Sequence, residues 1–230
     1  MHVAQPHTSV APTVDGDVLV ALWPTDLPMT GRQVAARVPH RSQKAVSVAL
    51  DRLVGQGLVH RREAGRAYLH TPNREHVAAP AVVALAGLRG TLIDRLRAHL
   101  AGWSPAPRHA SLFGSVARGD GDATSDVDLL IVRPDGVEAE DAAWRRQVEA
   151  LADAVLAWTG NHAGIIELSA AELAAYRDDP PEIVTELRRD GIDLAGIPVR
   201  AAFAGRASAD EPSAPPHAAL RPPRRARPSA

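Results

Sequence analysis

The stretch Gly114–Asp128, GSVARGDGDATSDVD, decides how this chain is read. Ala110–Phe113 before it reads as a short strand. Val127, Leu129, Leu130, Ile131 and Val132 read as a second strand, ended by Pro134. Between the two, Gly114-Ser115 turns into a short helical stretch, and Gly119 to Ser125 is polar and turn-rich. Residues i and i+2 of a strand share a face, so Asp126 and Asp128 project together while Val127 and Leu129 point to the core. Two like charges side by side on a sheet repel. A cation offsets that cost, and carboxylate oxygens suit magnesium, which keeps waters for substrate phosphates.

The loop before the acids supplies the complement. Gly114 has no side chain, so backbone can approach closely there. Ser115 offers a hydroxyl and an amide, and amides at a helix start favour a phosphate. Arg118 is placed to contact phosphate or to lock the loop against the acids. Phosphoryl or nucleotidyl transfer fits these parts, because positioning and charge neutralisation do most of the work in that chemistry.

The pattern GSxARGxxxxxSDxDLL resembles the minimal bacterial branch of the polymerase-beta-like nucleotidyltransferases and is matched at every fixed position. The resemblance covers about residues 106–200. It implies an α/β (α+β) domain, with a mixed sheet flanked by helices. It also implies a nucleoside triphosphate donor, usually ATP, and two magnesium ions held by Asp126 and Asp128. Gly114, Ser115 and Arg118 would bind the nucleotide. The family adds a third carboxylate, usually Asp, on a later strand. Here Gly164 to Leu168 reads as that strand and Glu167 is its only acid, so Glu167 is the expected third catalytic and metal residue. The alternative is a solvated strand-end residue. A set of three acids favours catalysis; two favour a domain that senses a nucleotide without turnover.

Other chemistries fit less well. The chain has no Cys, which excludes disulfides, thiolate metal sites and a Cys nucleophile. The histidines, His40, His60, His70, His76 and His99 among them, show no tight ligand spacing. Ser115 lacks the G-x-S-x-G setting of a hydrolase nucleophile.

The front of the chain reads differently. Val46, Ala49, Leu50, Leu53 and Val54 follow helical spacing after Ser42. Thr30 is a plausible cap for an earlier helix carrying Val34, Ala35 and Val38. LVHRR and RAYLH read as two short strands around a tight turn at Gly65. Helices followed by a two-stranded ribbon resemble the winged helix-turn-helix of ArsR/MarR-type regulators, over about residues 15–76. That resemblance implies double-stranded DNA as a partner. Gln43, Lys44 and Ser47 would face the major groove with Arg41 nearby, and Arg61, Arg62 and Arg66 would meet phosphates. A winged helix used for dimerisation or domain packing is the alternative.

Charge agrees with a division. Residues 1–76 carry 9 basic and 6 acidic side chains, residues 77–203 carry 12 and 19, and residues 204–230 carry 5 and 2. Residues 1–14 and 204–230 are expected to be disordered. Residues 77–105 are expected to form a connecting helix broken near Gly90. No apolar run is long enough to span a membrane. The first residues lack the pattern of a secretory signal, so a cytoplasmic protein is expected. The expected activity is transfer of a nucleoside monophosphate to an acceptor, with protein and RNA both open as acceptors and a homodimer also open. The alternative is a DNA-binding regulator with an inactive, nucleotide-sensing second domain.

Overall fold

A computed structural model describes residues 1–176 and 180–203. The expectation of a disordered tail falls on 204–230, outside the described residues. The chain divides into two compact units. One holds His2 and Ala4–Thr91; the other holds Met1, Val3 and the described residues from Leu92 onward.

In the first unit, a 3-10 turn at Pro6–Ser9 precedes α1 (Val14–Leu22), β1 (Met29–Thr30), α2 (Gly31–Arg37) and α3 (Gln43–Gly55). Thr30 caps α2 through a reciprocal pair with Gln33, and Ser42 caps α3 by accepting from the Ala45 amide. The strands β2 (Val59–Ala64) and β3 (Ala67–Pro72) form an antiparallel hairpin, and β1 joins it in the order β1-β3-β2. The α3 stripe of Val46, Ala49, Leu50 and Leu53 is buried against Val18, Leu22, Val34 and Val59. The first fourteen residues are not the disordered lead-in that their composition suggests. His7 is buried and its Nε2 lies 2.8 Å from Asp17 Oδ1, a carboxylate buried within α1. A buried charge needs partners, and this one draws the segment onto the helix.

The connecting stretch is two helices, α4 (Ala79–Ala86) and α5 (Leu88–Ala101). The break falls at Gly87, three residues before the expected place, and Gly90 stays helical.

The second unit contains β4 (His109–Phe113), α6 (Gly114–Arg118), β5 (Val127–Val132), α7 (Ala142–Thr159) and β6 (Ala163–Leu168). It continues through α8 (Ala170–Ala175), α9 (Glu182–Asp190), β7 (Ile192–Gly196) and α10 (Val199–Phe203). The sheet order is β6-β5-β4-β7. The β5/β6 pair is parallel and the others are antiparallel, which makes the sheet mixed. A parallel neighbour needs a crossover, and α7 provides it. Side-chain alternation divides the core into two layers. Leu112, Leu129 and Ile131 pack with Leu96, Trp144, Leu151 and Val155. Phe113, Leu130 and Val132 pack with Leu173, Val184 and Leu187. With both faces covered, β5 runs apolar without interruption from Leu129 to Val132.

Candidate functional site

The sheet brings the GSVARG loop and the acid pair together at one end. Phe113 pairs with Asp128 across β4 and β5, so the chain leaves β4 beside that carboxylate. Gly114 takes φ 67, a left-handed value that disfavours any side chain. A Cβ at this position would overlap Asp128 Oδ2. The glycine is therefore fixed twice, by its backbone angle and by the carboxylate packed on it. The helix α6 ends at Gly119, where the amides of Gly119 and Asp120 donate to the Ser115 carbonyl at 2.8 and 3.0 Å.

The loop from Gly119 to Ser125 is tied down from within and from behind. Asp122 accepts from the Thr124 amide at 2.8 Å and from Ser125 Oγ at 3.1 Å. Buried Asn161 donates from Nδ2 to the carbonyls of Ala123 and Ser125 at 3.1 and 2.9 Å. Its role is invisible to sequence patterning, because Asn161 acts from the end of α7, far along the chain. Gly121 packs so closely on Ser115 that a Cβ there would stand 2.5 Å from Ser115 Oγ.

Asp126 is exposed just before β5, and Asp128 is half-buried on the face it shares with Leu130 and Val132. Burial and the neighbouring Asp126 charge push the Asp128 carboxyl up to about 6, partly opposed by Arg118. Arg118 Nε donates to Asp120 at 3.0 Å, and its Nη1 lies 3.6 Å from Glu186 on α9.

Glu167 is not brought to this cluster. The parallel register pairs Asp128 with Gly164 and Ile131 with Glu167. Three residues at about 3.3 Å each displace Glu167 along the strand by about 10 Å. It also lies on the opposite face, by the parity of its pairing with Ile131. There its Oε1 accepts from Arg133 Nη1 at 2.7 Å, and Arg133 reaches Glu172 at 3.3 Å. The position facing Asp128 is Gly164, where a Cβ would stand 2.8 Å from Asp128 Oδ1 and 3.8 Å from Asp126 Cβ. The acid expected from the sequence, Glu167, lies on β6 three pairing positions from the one that faces Asp128.

The donor chemistry fits a divalent cation at Asp126 and Asp128: two oxygen ligands, one held back from ionising by burial and like charge. Among the described residues, no group of three or more His, Asp or Glu side chains is placed to hold a metal.

The candidate DNA-contacting residues lie on the first unit. Gln43, Lys44 and Ser47 are exposed along the first turns of α3, and Arg62 and Arg66 are exposed on the hairpin. Arg41 is anchored, its Nε donating to Asp17 Oδ2 at 2.7 Å. Arg61 donates to Asp51 at 2.8 Å and lies over the Tyr68 ring, 4.7 Å from its centroid. A groove of about 540 Å3 gathers Gln43, Ser47, Asp51, Arg61 and Tyr68.

Residues 100–167 match the nucleotidyltransferase domain family. The match contains the GSVARG loop, the acid pair and strand β6 up to Glu167. A solved structure described as a toxin–antitoxin with AMP-PNP is similar at 16% identity and a TM-score of 0.32, over 50% of this chain and 81% of its own. No curated protein matches the chain. No helix among the described residues is long and apolar enough to cross a membrane.

Proposed function

We propose that the nucleotidyltransferase domain transfers a nucleoside monophosphate, AMP from ATP, to an acceptor. The observation that carries this reading is the packing of Gly114 on Asp128, which sets the GSVARG loop against the acid pair. Asp126 and Asp128 would hold magnesium, which supplies charge neutralisation on the phosphates. Ser115 and Arg118 orient the triphosphate, Arg118 through guanidinium N–H groups beside the one it gives to Asp120. The acceptor hydroxyl oxygen attacks the α-phosphorus and gives its proton to solvent water, the α–β phosphoanhydride bond breaks, and pyrophosphate leaves. Incubation with labelled ATP, magnesium and candidate protein or RNA acceptors tests it. Label on an acceptor, lost in Asp126→Ala/Asp128→Ala, is the expected result. Nucleotide binding without label on any acceptor would refute transfer.

Gly164 favours a second reading, a nucleotide-sensing domain without turnover, because β6 offers no acid at the position facing Asp128 to take the acceptor's proton. The binding parts are the same, so the labelling experiment separates the two.

For the first unit we propose a winged helix that binds double-stranded DNA. The exposed Gln43, Lys44 and Ser47 on α3 and the exposed Arg62 and Arg66 on the hairpin support it. A mobility shift that weakens with salt is expected. No binding to any duplex at low salt would sink it.

A further inference from the structure

We infer that the site takes one divalent cation per nucleotide rather than two, because Gly164 occupies the place where β6 would present a third carboxylate. The inference rests on the nucleotide-binding reading of the same site. Asp128 lies between Phe113 on β4 and Gly164 on β6, and neither carries a donor. The pairing before it, Val127 with Ala163, adds none.

The other acids nearby are engaged. Glu167 is turned to the far face and bound by Arg133 at 2.7 Å. Asp120 is held by Arg118 at 3.0 Å, and Glu186 lies 3.6 Å from the same guanidinium. Asp122 is committed to Thr124 and Ser125 within its own loop. The protein thus offers two carboxylates, Asp126 and Asp128. One magnesium is satisfied by one or two carboxylates together with waters and substrate phosphates. A second cation would have to share those two acids with the first and would bring no protein anion of its own.

The geometry at Gly164 makes this a single-residue property. A Cβ there would lie 2.8 Å from Asp128 Oδ1 and 3.8 Å from Asp126 Cβ, so an acid at that position is carried directly beside both carboxylates. Gly164→Asp therefore restores the missing ligand.

The test uses the full chain, saturated with AMP-PNP, with manganese in place of magnesium. The free-ion signal in electron paramagnetic resonance counts manganese per bound nucleotide. One ion is expected in the parent and in Glu167→Gln, and two in Gly164→Asp. Gly164→Asn, similar in volume but neutral, is expected to stay at one. Two ions in the parent overturn the inference, and the parent count decides even if Gly164→Asp does not fold. Gly164→Asp binding nucleotide but remaining at one ion also overturns it. Failure of the parent to bind AMP-PNP instead removes the nucleotide reading, and the inference falls with it.

Discussion

Gly114 and Asp128 are packed backbone against carboxylate, so closely that no side chain fits between them. Gly114→Ala combines this overlap with a left-handed φ that costs a side-chain-bearing residue about 1–2 kcal/mol. The carboxylate has to swing away, out of line with Asp126. Gly114→Ala is expected to weaken AMP-PNP binding at least tenfold while shifting the denaturant midpoint only modestly. Calorimetric titration and a urea curve check both. Unchanged nucleotide affinity would separate the glycine from the site.

Asp128 also gives the domain a pH signature. Its carboxyl titrates at about 6 instead of 3.8, chiefly because of burial and secondly because of Asp126. A folded pKa above the unfolded one means that the unfolded chain ionises first. Stability then falls as pH rises from about 4 to about 6, and the cost is constant above that. Asp128→Asn removes it. In metal-free buffer the variant is expected to be more stable than the parent by about 1–3 kcal/mol at pH 7.5, with no gain at pH 3.5. Urea midpoints at the two values measure the difference. A variant less stable than the parent at pH 7.5 contradicts the assignment.

The sequence reveals this site unevenly, for a physical reason. Residues 114–128 are contiguous, so local rules suffice: strand alternation puts Asp126 and Asp128 on one face, and the turn chemistry of Gly114 is written in the chain. The partner on β6 depends on a sheet register that composition does not encode. A shift of three residues separates Glu167, which is conspicuous as an acid, from Gly164, which is inconspicuous and faces Asp128. The burial of His7 on Asp17 was hidden for the same reason, since it joins two segments whose pairing no periodicity announces.

Glu167 should therefore behave as a structural residue. Its carboxylate partners Arg133, whose side chain is only 11% exposed. Glu167→Ala leaves that guanidinium short of a partner, at a cost of about 1–3 kcal/mol. The expected result is a lower denaturant midpoint with nucleotide affinity unchanged within twofold. Loss of AMP-PNP binding at full stability would return Glu167 to the site.

Asp17 sets the first unit's acid sensitivity. Burial alone would raise its pKa, but hydrogen bonds from His7, Arg41 and His40 hold it below the ordinary value. A depressed folded pKa contributes stability above pH 3.8 that is lost as pH falls through the folded value. Asp17→Asn is expected to cost about 1–3 kcal/mol at pH 7 and progressively less below pH 3.8. Denaturation followed by a probe in the first unit measures it. An unchanged midpoint at pH 7 would mean that the cluster adds nothing net.

The groove beside α3 makes the sharpest prediction for DNA. Asp51 and Arg61 face each other across 2.8 Å, so Arg61 carries a neutralising partner into the surface proposed to meet phosphates. Exposed ion pairs are worth about 0.2–1 kcal/mol, and Arg61 gives up about that much to engage a phosphate. Asp51→Asn abolishes this competition and removes a charge that repels the duplex. It is expected to tighten binding about two- to fivefold at low salt. Lys44→Ala and Arg62→Ala, neither of which forms an ion pair among the described residues, are expected to weaken it and to lower the salt slope by about one each. Fluorescence anisotropy across a salt series distinguishes these outcomes. Weaker binding in Asp51→Asn would mean that the Arg61–Asp51 pair positions the groove instead of masking it.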